Sequence, residues 1–247
     1  MFKTICYLSL ILTSLVNTDL LKAKNTPSKS IYLNAINHPD RPAQDKIKDK
    51  TRKPELILPF TQIKPGDKVL ELGAGGGHTT ELLARLVGSQ GKIYAHGLSP
   101  NRTAFDRLAN VVSLRKHLLY ELPDVLTENN VKSGSLDAAV LFFTLHDYYL
   151  NSRIDKQGLL TNIYNLLKPG GHLVLLDNAA DTGAGLSVNR KLHRIGEDFV
   201  TSELEKAGFA VDTRSDALRN PNDDHTKRWQ EFSGLHDRFA IRFKKAL

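Results

Sequence analysis

Short apolar runs alternate with amphipathic runs along most of this chain. Residues 69–72 (VLEL) and 136–143 (LDAAVLFF) are apolar without alternation, which is typical of parallel strands covered on both faces. The same reading places further strands at 92–98, 117–122, 172–177, 210–214 and 238–245. The last of these alternates and is predicted to be more exposed and antiparallel.

Helical patterns separate these strands. The leucines of 78–88 share one face and a glycine ends the run, and further helices are predicted at 101–111, around the apolar stripe of 159–167, and at 197–209. Strands that alternate with helices in this way predict an α/β fold, a doubly wound and mostly parallel seven-stranded sheet.

The N-terminal 60 residues have a different character. Residues 1–23 combine an early lysine with a short apolar stretch and are predicted to be a secretory signal. An uncleaved membrane anchor is the alternative, because the cleavage site is poorly specified. Residues 24–60 are predicted to be a linker, irregular up to residue 40, followed by a helical extension, and 61–247 to be one domain. The protein is therefore expected to be exported to the periplasm.

Charge and cysteine content narrow the chemistry. The net charge is +7, and removal of residues 1–23 takes away Lys3, Lys22 and Asp19, so that it falls by one. A basic surface suits an anionic envelope surface, although a merely solvated surface is the simpler interpretation. Acids interrupt the basic residues of 40–55, so no nucleic acid is expected as a partner. The only cysteine, Cys6, lies in the predicted signal, and no metal site is predicted.

A glycine-rich loop, GAGGG, follows the first predicted strand at 73–77. It is not a P-loop, because His78 stands where the lysine between Gly77 and Thr79 is needed. It is not a dinucleotide fingerprint either, since the sixth position is His78 or Thr80. The remaining form is an acid followed by alternate glycines, met by Glu71 and the loop glycines.

These residues resemble the class I S-adenosylmethionine-dependent methyltransferases. The resemblance also includes GSLDAAVLFFTLHD and LLKPGGHLVLLD in their usual order, and the chain looks like a poorly characterised group of predicted exported methyltransferases. It implies a Rossmann-like methyltransferase fold and S-adenosyl-L-methionine as the cofactor. The implied cofactor-binding residues are Glu71, Gly73, Ala74, Gly75, Gly77 and Glu121. Asp124 is a rival to Glu121 for the adenine, and a purely structural role is the alternative for Glu71.

One position departs from the family pattern. The second strand usually ends in an acid that binds the ribose, and here Gly97 stands there, with His96 and Ser99 nearby. Weak cofactor binding is therefore expected, and an aspartate at 97 is expected to tighten it if the backbone allows a side chain.

The stretch FFTLHDYY leaves the fourth strand at the rim of the expected crevice. His146 is the predicted catalytic base and Asp147 its predicted catalytic partner, with Tyr148 as an alternative partner. A simple helix cap is the competing interpretation. Asn178, His193 and Arg194 are candidates for substrate contacts. The predicted function is a methyltransferase for an unknown acceptor; the alternatives are a non-catalytic binding protein and an envelope-associated protein.

Overall fold

The computed structural model describes residues 28–98, 108–114 and 126–247. Its helices are α1 (Lys29–Ile36), α2 (Ala43–Arg52), α3 (Pro54–Thr61), α4 (His78–Val87), α5 (Leu145–Leu150), α6 (Lys156–Leu166), α7 (Asn189–Leu192) and α8 (Glu197–Lys206). Its strands are β1 (Lys68–Gly75), β2 (Lys92–Leu98), β3 (Val111–Leu114), β4 (Leu136–Phe142), β5 (Leu167–Asn178), β6 (Ala210–Ser215) and β7 (Arg238–Lys244). A 3₁₀ turn, Trp229–Phe232, precedes β7.

The strands form one seven-stranded sheet in the order β3-β2-β1-β4-β5-β7-β6. The first five strands are parallel, and β7 is antiparallel to both of its neighbours. Strand order reverses between β1 and β4, and a sheet of this kind binds its ligand beyond the carboxyl ends of the strands at such a point. The predicted doubly wound fold is confirmed, and the glycine loop lies at the reversal.

Both faces of the sheet are covered, as continuous apolar strands require. On β1, Val69 packs in one apolar cluster with α3 and α4, whereas Leu70 and Leu72 pack in the other. All three side chains are fully buried. The core therefore fixes β1 from two sides and holds the start of the glycine loop in place.

The N-terminal extension is more ordered than the sequence predicts. Irregular chain was expected up to residue 40, but α1 lies within that range and the Ser28 hydroxyl accepts a bond from the Ser30 N–H. Tyr32 and Ala35 are buried in the cluster that contains Leu82 and Leu86 of α4. These apolar positions are too few for a visible period, so only packing against α4 reveals the helix.

Two strand predictions need correction. The third strand was expected at 117–122, which lies outside the described residues; the structure has β3 at Val111–Leu114, at the end of a predicted helix. The last strand was expected to be exposed, but β7 lies inside the sheet and is buried along nearly its whole length. Its alternating arginines misled the prediction: Arg238 donates to Thr51 O and Arg242 to Phe60 O, so their charges lie beneath the N-terminal helices.

Within the described ranges, no helix has the length and apolar character that crossing a membrane requires. The predicted signal, residues 1–23, lies outside those ranges.

Candidate functional site

The glycine loop turns from β1 directly into α4. Gly77 is the N-cap of α4 with φ 74°, and its N–H donates to Ala74 O at 2.7 Å. A Cβ on Gly73 would lie 2.1 Å from Thr144 Oγ1, so only glycine fits there. Gly75 is exposed, with φ 50°, and a Cβ on it would meet nothing closer than 3.8 Å. Four predicted residues, Gly73, Ala74, Gly75 and Gly77, therefore shape a tight turn with open space above it.

Glu71 lies beneath this turn and is 3% exposed. Its Oε2 makes no well-aligned hydrogen bond among the described residues, although the Thr80 hydroxyl lies close enough to lower the pKa of Glu71. Burial raises the pKa of Glu71 to about 7, against the opposing effects of the Thr80 hydroxyl and the Arg52 charge. A buried carboxylate oxygen that lacks a donor is costly unless a cationic or hydrogen-bonding ligand supplies one.

Helix α2 packs over the start of α4 and brings further charge to the crevice. His78, the first residue of α4, contacts Asp49 Oδ1 at 2.7 Å, and Arg41 holds the same carboxylate through two bonds of 2.7 and 2.9 Å. Burial lowers the pKa of His78 to about 4, with Arg52 acting in the same direction and Asp49 against it. His78 is therefore neutral at pH 7, and its contact with Asp49 ties α2 to the start of α4.

Arg52, at the end of α2, is a site residue that the sequence did not single out. Its guanidinium lies over the Phe143 ring, 5.7 Å from the centroid, and its charge acts on Glu71. Burial lowers the pKa of Arg52, against the attraction of Asp45, Glu71 and Asp49. The contact joins the N-terminal extension to the end of β4, which sequence spacing alone does not reveal.

At the end of β2, the structure explains the departure from the family pattern. Gly97 has φ 76°, and a Cβ on it would lie 3.4 Å from the Cα of Gly73. The positive φ strains an aspartate there although the contact itself is ordinary, so the backbone condition on which the expected gain in affinity depended is not met. Three polar candidates for the ribose and adenine, Ser99, Glu121 and Asp124, lie outside the described residues.

His146, on α5, is held by the end of β5. Its Nδ1 contacts Asp177 Oδ1 at 2.6 Å, and its backbone N–H donates to Asp177 Oδ2 at 3.0 Å. Burial alone would lower the pKa of His146, but the charge and hydrogen bond of Asp177, with the charge of Asp147, raise it. The N-cap is Thr144, which makes no side-chain capping bond. The His146 ring thus engages β5 rather than the helix start, contrary to the capping alternative.

Asp177 is a second residue that the sequence analysis missed. It ends an apolar strand at the carboxyl edge of the sheet and is fully buried. That position is itself a signal, because a lone acid after an apolar strand points to the crevice.

The structure brings His193 to this site and gives the other two candidates, Asn178 and Arg194, buried structural contacts. His193 Nδ1 lies 3.3 Å from Asp147 Oδ1. Asn178 is buried and donates to His193 O, so it supports the site from below. Arg194 is wrong as a substrate contact: its side chain is fully buried and bonds Ala179 O and Asp223.

The two halves of the site are adjacent. Gly73 of the loop packs on Thr144, two residues before His146. Between the halves, burial raises the pKa of Tyr148, and the charges of Asp147 and Glu71 raise it further. The glycine loop and the buried His146 therefore lie next to each other at the carboxyl edge of the sheet.

Residues 70–173 match the model of a family described as a methyltransferase domain. The chain is 30% identical over 129 residues to a 2-phytyl-1,4-naphtoquinone methyltransferase of Trichormus variabilis, covering 50% of this chain and 52% of that protein. It is 31% identical over 127 residues to an arsenite methyltransferase of Aquipseudomonas alcaligenes, covering 47% and 34%. The chain thus spans about half or less of the length of these relatives.

The fold is also similar to that of methyltransferases of known structure. A SAM-dependent methyltransferase from Aquifex aeolicus superposes with a TM-score of 0.56 at 20% identity, over 88% of this chain and 98% of that one. The buried Glu71 carboxylate and the exposed Gly75, where a Cβ would make only one ordinary contact, fit S-adenosyl-L-methionine, the cofactor of this class. Residues 70–173 are therefore similar to a methyltransferase domain, and the sheet that contains them has the Rossmann-like fold of S-adenosylmethionine-dependent methyltransferases.

Proposed function

We propose that this protein transfers a methyl group from S-adenosyl-L-methionine to an acceptor outside the cytoplasm. The observation that carries the proposal is the pairing of an unsatisfied buried carboxylate, Glu71, with a buried and oriented imidazole, His146, in one crevice. The first suits a cationic cofactor group, and the second suits an acceptor that loses a proton.

The cofactor's methionine part carries an ammonium and a carboxylate. Glu71 Oε2 is the acceptor available to the ammonium. The first N–H groups of α4 and the cation of Arg52 are the corresponding partners for the carboxylate. This opposite-charge arrangement, with Glu71 and Arg52 close enough to influence each other, supports recognition of a zwitterion.

Methyl transfer is an in-line displacement, so the enzyme has mainly to align the acceptor and exclude water. Asp177 holds His146 by its Nδ1, which leaves Nε2 for the acceptor's proton. Asp147, whose Oδ1 lies 3.4 Å from that Nε2, completes the proposed catalytic pair.

A ligand screen tests the proposal against its main alternative, a methyltransferase-fold protein that binds another molecule without catalysis. Thermal shifts of the full chain are measured with S-adenosylmethionine, S-adenosylhomocysteine, NAD and anionic lipids. We expect stabilisation by the first two alone, because saturation at about 100 times Kd adds roughly 2.7 kcal/mol. A shift with NAD instead, or with none of the four, contradicts the proposal.

Export is part of the proposal, and the signal pattern of residues 1–23 supports it. A reporter enzyme that folds only in an oxidising compartment, fused after Lys24, is expected to be active in the periplasmic fraction. Replacing the apolar residues Ile11 and Leu12 by lysine should keep the reporter in the cytosol, because a charged apolar stretch no longer inserts. A parent fusion that is as inactive as this control, with the reporter protein of both found in the cytosolic fraction, would refute export.

A further inference from the structure

Three potential metal ligands converge at the rim of the crevice: His146, Asp147 and His193. Their ligand atoms all lie within 4.8 Å of one another. Asp147 Oδ1 is 3.4 Å from Nε2 of His146 and 3.3 Å from Nδ1 of His193.

These separations are long for hydrogen bonds between charged groups, which are about 2.7 to 2.9 Å. The separations instead match the spacing of ligand atoms around one metal ion. Two ligands that each lie about 2.1 Å from a tetrahedral zinc ion are about 3.4 Å apart. By comparison, the contact of His146 with Asp177 is a true hydrogen bond of 2.6 Å. The carboxylate of Asp147 therefore stands at ligand spacing from both imidazoles.

The second observation concerns how His146 is oriented. A metal-binding histidine usually donates its other ring N–H to a carboxylate, which fixes the tautomer and makes the ligand nitrogen more basic. Asp177, with no exposed surface, accepts from Nδ1 and also from the backbone N–H of the same residue. Nε2 is thereby left as the ring nitrogen near Asp147, 3.4 Å from its Oδ1.

Buried amides fix the backbone of both histidines. Asn189 donates to His146 O at 2.8 Å, and Asn178 donates to His193 O at 3.0 Å. His193 itself ends α7 with φ 52°, an unfavourable conformation for a non-glycine residue. Such strain persists only where the surroundings enforce it, and it is common at functional sites.

We propose that Nε2 of His146, Nδ1 of His193 and the carboxylate of Asp147 bind one divalent cation, with zinc as the best match. Two imidazoles and one carboxylate disfavour magnesium and calcium, which prefer oxygen ligands. Three protein ligands with an open fourth position are typical of a catalytic zinc. The Asp147 side chain is 55% exposed and that of His193 27%, so the open position faces solvent.

The cation's use rests on the proposed function. An acceptor hydroxyl on the fourth position would lose its proton to solvent, because the cation lowers the pKa of the hydroxyl. Its oxygen then forms the O–C bond to the methyl group as the S–C bond breaks and S-adenosylhomocysteine leaves. With the cation bound, the cation rather than Nε2 of His146 promotes loss of the acceptor's proton. The site therefore favours methyl acceptors with an ionisable hydroxyl.

The test is titration of the full chain, without a polyhistidine tag and after chelator dialysis, with zinc chloride in a calorimeter. We expect one zinc per chain with a Kd on the order of 1 μM or tighter. His193→Ala should weaken binding by roughly 100-fold or more, and Asp177→Asn by about 10 to 100-fold through the lost orientation of His146. His225→Ala is the matched control: that histidine also contacts two carboxylates, Asp181 and Asp237, but through different ring nitrogens.

Zinc binding that is absent, or that His193→Ala and His225→Ala weaken equally, overturns the proposal. Titration with cobalt supplies a second readout, because the intensity of its visible absorption bands distinguishes tetrahedral from octahedral coordination. Weak, octahedral bands that His193→Ala leaves unchanged would also overturn the proposal. Affinity for S-adenosylhomocysteine is measured on the same samples. Retained cofactor binding without zinc binding removes only the metal site, whereas zinc binding without cofactor binding removes only the proposed function.

Discussion

Gly75→Val is expected to abolish measurable cofactor binding, a loss of roughly 100-fold or about 3 kcal/mol. The exposed Gly75 stands where the backbone turns from β1 towards α4, and a Cβ on it would make only an ordinary contact, 3.8 Å from Gly73 O. A branched side chain would fill the volume that the cofactor shares with the loop. Isothermal calorimetry with S-adenosylmethionine measures the change.

Gly134→Val is the control for backbone strain. Gly134 also has a positive φ, 68°, and open space around a Cβ, but it precedes β4 at the opposite edge of the sheet. Both variants carry a similar conformational cost of about 1 to 3 kcal/mol. Only Gly75→Val should lose cofactor binding; unchanged affinity in that variant would show that the loop does not hold the cofactor.

His146→Ala is expected to lower turnover by roughly 100-fold or more with little change in cofactor affinity. The loss is expected for either role of Nε2. Nε2 removes a proton from the methyl acceptor, or it binds a cation that lowers the pKa of the methyl acceptor's hydroxyl, and both roles need the ring that Asp177 orients. Turnover is followed as transfer of a labelled methyl group into an envelope extract or an identified acceptor.

His146→Asn separates chemistry from folding, because its amide can replace Nδ1–H towards Asp177 while Nε2 is lost. It should fold as the parent does and be as inactive as the alanine variant. Parallel losses of cofactor binding and turnover in both variants would instead assign His146 a structural role.

The sequence predicted the sheet well because its signals are local. Uninterrupted apolar runs marked β1 and β4, and a glycine after an amphipathic run marked the end of α4. Strand β7 was misjudged because its arginines look solvated in sequence, whereas Arg238 and Arg242 reach carbonyls of the N-terminal helices. That burial depends on a distant packing partner, which periodicity does not encode.

The candidate site residues likewise fall into those that local sequence reveals and those that only the packing reveals. The glycine loop and Glu71 were found from a contiguous motif, and His146 from its place after an apolar strand. The residues that the sequence missed act on partners far along the chain. Asp177 bonds His146, 31 positions away, and Asn189 bonds His146, 43 positions away. Arg52 acts electrostatically on Glu71, 19 positions away. The arrangement of Asp147 between two imidazoles likewise exists only once α5 and α7 pack together.

The central claim is that Glu71 binds the cationic end of S-adenosyl-L-methionine, and its pKa of about 7 makes the claim measurable. Below that pKa the carboxyl is neutral and attracts an ammonium weakly; above it the carboxylate is charged. If only the ionised form binds, affinity rises about eightfold between pH 6 and 7.5.

Calorimetry with S-adenosylhomocysteine, on the parent and on Glu71→Gln at both pH values, is the most direct measurement. Glu71→Gln should unfold no more easily at pH 7.5, because glutamine avoids the cost of a buried charge. The account predicts that the parent shows the rise, and that Glu71→Gln binds about tenfold more weakly at pH 7.5 without it. Equal affinity of both proteins at both pH values would contradict it.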